Sequence, residues 1–134
     1  MWANGIFLVL FRNMLLHEEG EWFDASPAGP KELWICPATP RKWMHEQNGI
    51  VVERAPTYFG PVSFSLRAQG RGDATGTIVF EGREKLPQRV VVHVRSLREG
   101  PLRRVTVNGR DHAFFTGEQI VIADPPRRIE IVCS

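Results

Sequence analysis

The chain has few of the residues from which covalent frameworks and metal sites are built. Cys36 and Cys133 are its only cysteines, and two thiols make no disulfide framework. Reduced, partly buried thiols are expected, although pairing of the two stays open. The four histidines, His17, His45, His93 and His112, stand far apart, and no His/Cys pair has zinc-ligand spacing. No metal and no cofactor is therefore expected. Charge of one sign is also scarce. The formal net charge is +2, with arginines scattered and not massed in one run, which argues against nucleic acid as a partner. No apolar run reaches the ~20 residues a membrane span needs, so no membrane partner is expected. The stretch Gly5–Phe11 lacks a preceding basic region, and Glu18, Glu19 and Glu21 follow where a small-residue cleavage site would stand. The default address is cytoplasmic, unless an address lies in sequence upstream.

What is present is ordinary for one globular domain: 43% hydrophobic and 24% charged residues in a chain of 134. Residues 3–17 read as a helix with apolar residues round nearly its whole circumference, interrupted only by Asn4, Arg12 and Asn13. Such a helix is normally buried on all sides, and one small β domain covers only one of them. A partner is implied, either an upstream domain or a second copy bound through helix 3–17.

Gly20 to Pro30 turns to Gly, Pro, Ser and acid, which is loop chemistry. Leu33–Ile35 is a short strand candidate. Thr39 followed by Pro40 predicts an N-cap and first helical position for one short turn that Asn48-Gly49 ends.

The remainder reads as β. Runs at 50–54, 62–68, 75–80, 89–95, 103–107, 119–122 and 128–132 have strand length and are rich in Val, Ile and Phe. Val62, Phe64 and Leu66 alternate with Ser63, Ser65 and Arg67, and Ile129 and Ile131 with Arg128 and Glu130. That is the period of a sheet with one face in a core. Asn108-Gly109 predicts a type I′ hairpin turn. The fold class is mainly β: an antiparallel two-sheet sandwich preceded by one N-terminal helix. The expected division is a helix and connecting loop over 1–49 and a β-sandwich over 50–134. The expected core is Val62, Phe64, Leu66, Ile78, Val90, Val92, Val105, Val107, Ile120, Ile129 and Ile131.

Two segments, Leu33-Trp34-Ile35-Cys36-Pro37-Ala38-Thr39-Pro40-Arg41-Lys42-Trp43 and Ala55-Pro56-Thr57-Tyr58-Phe59-Gly60-Pro61-Val62-Ser63, resemble the end of bacterial glycoside hydrolases of the rhamnosidase-like kind. In those proteins the last helix of an (α/α)₆ toroid passes into a C-terminal β-sandwich. The resemblance implies that helix 3–17 is a last barrel helix and that the catalytic toroid lies before Met1. Its motifs are architectural, so it assigns no catalytic residue to this chain.

The chain's own residues offer no catalytic site. Glu18, Glu19, Glu21 and Asp24 read as a solvated loop, whereas a glycosidase needs two carboxyls across a concave site. There is no Gly-x-Ser-x-Gly motif. Trp34, Trp43, Tyr58 and Phe59 are the candidates for contact with a glycan, since flat rings stack on sugar faces. The bland reading of Trp34 and Trp43 is packing where the short turn meets the sandwich. The chain is accordingly expected to be a non-catalytic domain that packs against a catalytic one, with carbohydrate binding through exposed aromatics as the alternative.

Overall fold

A computed structural model describes residues 2–20, 31–70, 72–95 and 100–134. Helix α1, Trp2–Leu15, is followed without a break by strand β1, Leu16–Glu19, and then by β2, Glu32–Ile35. A 3₁₀ turn, Arg41–His45, leads into β3, Ile50–Ala55. The long strands β4, Val62–Gln69, and β5, Asp73–Phe80, precede β6, Arg89–His93, and β7, Val105–Val107. Two short strands, β8, Arg110–Asp111, and β9, Phe115–Thr116, come before β10, Gln119–Ala123, and β11, Arg128–Cys133.

The strands form two sheets, one ordered β1-β2-β6-β10-β9 and the other β3-β4-β5-β11-β7-β8. Among the described residues all pairings are antiparallel except β2 with β6. The sandwich expected from the alternation is present, and its register follows the apolar sets. Phe64 pairs with Ile78 and Ile78 with Ile129, which puts three apolar side chains on one face. Each is at most 2% exposed. All the expected core residues are buried except Val107, which packs half-buried against the others. The core also takes Leu16, Leu33, Ile35, Met44, Phe80, Ile122 and both cysteines.

Three local expectations change. The helix stops at Leu15, because Leu16 turns into the core at 1% exposure and pairs with Ile35. The sandwich consequently begins at Leu16, with β1 and β2 built into one sheet, and not at residue 50. The 3₁₀ turn is capped by extended Pro40 with no side-chain hydrogen bond, so Thr39 does not serve as the N-cap. The acidic loop's residues 21–30, with Glu21 and Asp24, lie outside the described residues.

The hairpin between β7 and β8 has φ of 50° at Asn108 and 77° at Gly109, the positive values a type I′ turn requires. Asn108 is further held by its amide oxygen, which accepts from the Glu130 backbone N–H at 2.7 Å. Gly76 is a different kind of glycine. A Cβ there would stand 2.5 Å from Leu66 Cδ2, its partner across the ladder, so the missing side chain is what lets buried Leu66 cross β5.

Candidate interaction surface on helix α1 and its adjoining groove

No residue of α1 is buried. Phe7 and Leu8 are each 65% exposed, Leu10 60%, Val9 58% and Ile6 55%. At about 100° per residue, these consecutive positions point in every direction round the axis, so the apolar surface has no solvent-facing polar side. Exposed apolar patches beyond a few hundred Å² usually mark contact surfaces. Among the described residues no helix is long and apolar enough to cross a membrane.

The helix is fixed to the sandwich at its C-terminal end. The backbone N–H groups of Cys36 and Ala38 donate to the carbonyls of Leu15 and Met14 at 2.8 and 3.3 Å, satisfying groups that a helix end leaves open. The Arg12 guanidinium donates to both carboxylate oxygens of Glu18, at 2.9 and 2.8 Å, and to the Pro56 carbonyl at 2.9 Å. Further along, Phe7 stacks on Phe11 with ring centroids 6.2 Å apart, and Phe11 lies 6.1 Å from Trp43. An aromatic ridge thus runs from the helix onto the 3₁₀ turn.

Between α1 and the β3–β4 connection lies an open groove of about 610 Å³, lined by Val9, Arg12, Asn13, Glu18, Pro56 and Tyr58 among others. Glu18 is 6% exposed and its charge is met by Arg12. The solvated-loop expectation is wrong for this residue, because β1 turns it toward the interior and Arg12 folds back over it. Glu19 pairs instead with His17, Nε2 to Oε2 at 3.0 Å. Glu18 is the one carboxylate among the described residues that line the groove.

The four aromatic candidates separate. Phe59 is buried in the core, 5% exposed, and cannot present a ring to a ligand. Tyr58 is 61% exposed at the groove rim. Trp43 is half-buried in the aromatic ridge. Trp34 is half-buried on the outer face of its sheet, its indole N–H donating to Glu32 at 3.1 Å. His17 stands edge-on to it at 68° and His93 is tilted at 51°, so these rings form no flat platform.

A second polar cluster, which sequence reasoning missed, lies where β2 and β6 end. Burial pushes the Cys36 thiol up to about 12, against the opposing pull of Thr39 and Arg95. The Thr39 hydroxyl, close enough to favour the thiolate, makes no hydrogen bond of ordinary geometry. His93 Nε2 and Arg95 Nε are likewise buried without a hydrogen-bond partner. Arg95 Nη2 donates to the Pro37 carbonyl at 2.6 Å, and Arg41 is ion-paired with Glu118. Burial and then the Arg95 charge hold His93 below the usual imidazole value, offset in part by Glu118. Position 93 alternates with the core residues Val90 and Val92, and its burial on the outer face was not legible in the sequence.

Both cysteines are buried, and neither is in a disulfide. Among the described residues no group of three His, Cys, Asp or Glu side chains could hold a metal ion. No family model matches the chain, and neither a curated protein nor a solved structure matches it.

Proposed function

We propose that the chain is a non-catalytic C-terminal β-sandwich of a glycoside hydrolase-like protein, packing through α1 against a helical catalytic domain and stabilising it. The observation that carries this reading is the helix with no buried residue and apolar side chains on every side. Fully covering a side chain of the Phe or Leu kind contributes roughly 1.5–3 kcal/mol. Covering the five consecutive residues Ile6–Leu10 is therefore a large stabilisation, available only to a partner that surrounds the helix. A bundle or toroid of helices meets that requirement. A flat surface does not.

The groove supports a non-catalytic role. Retaining and inverting glycosidases both need two carboxyl groups facing one sugar, and Glu18 has no carboxyl companion there among the described residues. Its own oxygens are occupied by Arg12.

A test is to express the chain together with whatever the DNA encodes immediately upstream of Met1. A helical glycosidase domain whose presence protects the α1 amides from exchange supports the reading. A joined product of another class, with α1 still open to exchange, overturns it. The alternative, carbohydrate binding, draws on Tyr58, whose exposed ring borders the groove. It is tested by titrating soluble oligosaccharides against the Tyr58 ring resonances.

A further inference from the structure

His93 ends β6 at 5% exposure, with its Nε2 unpaired. Several groups face it. From two residues beyond the end of its own strand comes Arg95, and from the β9–β10 turn comes Glu118, already paired with Arg41. From β2 comes the Trp34 ring, with His17 of β1 on its other side. The Cys36 thiol stands beside Arg95 at the end of β2. A proton added to His93 would therefore place a second cation, on a ring nitrogen shut off from water, near half-buried Arg95, and the nearby carboxylate is committed elsewhere.

The element bridging this cluster to α1 is the turn Cys36–Thr39. Arg95 braces it through the Pro37 carbonyl, the Thr39 hydroxyl lies buried in it without a hydrogen-bond partner, and its Cys36 and Ala38 amides hold the last carbonyls of α1. It is not part of a ladder, so lifting it breaks fewer hydrogen bonds than parting the sheets. We propose that protonation of His93 unlatches the Cys36–Thr39 turn, releasing the C-terminal end of α1 in acid while both sheets stay folded.

The sign follows from linkage. His93 in the closed structure lies below its ordinary 6.5, so the neutral ring's contribution to the closed latch is fully present above that pH. As pH falls from 6.5 toward the lowered value, the open form gains by up to about tenfold per pH unit for one linked proton.

The experiment is amide hydrogen exchange of the whole chain by NMR from about pH 7.5 to about pH 5, corrected for the intrinsic chemical rate. Exchange at Cys36 and Ala38 should accelerate with acid, following the titration of the His93 ring, while Ile131 in the centre of its sheet stays protected. His93→Gln, which cannot take the proton, should flatten the acid response. The proposal is overturned if Cys36 and Ala38 keep their protection through the ring titration, or if they and Ile131 lose it together. It is equally overturned if His93→Gln retains the response. Should that variant not fold, the wild-type ring titration set against the exchange of these three amides decides.

Discussion

Arg12 grips both oxygens of Glu18 while also reaching the carbonyl of Pro56, so a single guanidinium joins helix α1, strand β1 and the β3–β4 connection. Glu18 is buried and Arg12 is about one-third exposed. Removing the cation leaves a desolvated carboxylate, which in fully buried pairs costs about 3–5 kcal/mol. With Arg12 partly in water, Arg12→Ala should cost about 1–3 kcal/mol. Urea denaturation checks this. An unchanged midpoint would mean that the pair contributes nothing to the fold.

The isolated chain should self-associate through α1. Light scattering should show species larger than a monomer that grow with concentration, and deletion of residues 1–11 should return a monomer. The cut stops there because Arg12 holds Glu18 and Leu16 lies in the core. A clean monomer of the full chain at high concentration would remove the basis for a missing partner.

Much of this arrangement was legible in the sequence, and the failures have one physical cause. Val62, Phe64 and Leu66, like Ile129 and Ile131, carry a strict period of two, and local alternation alone assigns their face. Leu16 continues the apolar run of the helix without interruption, so nothing local marks its switch to strand. Its conformation is decided by Ile35, nineteen positions later in the chain and opposite it in the sheet. Glu18 misled in the same way. An acid beside two others reads as solvent-exposed unless the arginine six residues earlier is known to fold back onto it. Thr39 has the composition of a helix cap, but the turn buries its hydroxyl instead. Tertiary packing, and not the local pattern, decided each of these positions.

Two glycine substitutions should be costly for different reasons. Gly109 has open space around it but φ of 77°, so Gly109→Val should lose roughly 1–2 kcal/mol to backbone strain alone. Gly76 has no such φ, and its added methyl would meet Leu66. Gly76→Ala should cost about 1–3 kcal/mol through overpacking, and Leu66→Ala should lessen that penalty. A double-mutant cycle in thermal unfolding measures the coupling. Additive effects would mean that the two side chains do not compete.

Alkaline pH should destabilise the chain through Cys36. Its thiol is raised from 9.0 to about 12 in the fold, so the unfolded chain ionises first. Stability from this group is complete below pH 9 and falls between 9 and 12, by up to about 1.4 kcal/mol per pH unit. Cys36→Ala should remove that contribution to the slope. Denaturation midpoints at about pH 8 and about pH 10.5 make the comparison, and equal slopes in both proteins would exclude the thiol as the cause.

The purified chain should hydrolyse no aryl glycoside. Glu18 is tied to Arg12 and Glu19 to His17, leaving no carboxyl pair across the groove among the described residues. Turnover that vanishes in Glu18→Gln or Glu19→Gln would show the groove to be catalytic.

The parallel pairing of β2 with β6 sets a schedule for folding. Strands β3, β4 and β5 lie between them in sequence but belong to the other sheet, where β4 and β5 meet across a short turn and gain contacts locally. Such near-neighbour hairpins form early, whereas a pairing that spans the chain waits on loop closure. On a ribosome, β2 can pair with β1 at once, but its second neighbour is missing until residues 89–93 have emerged. The sheet that carries α1 is therefore completed late, and the apolar helix, although held early by Glu18 and by the Cys36 and Ala38 amides, spends that interval in need of a chaperone or of its eventual neighbour.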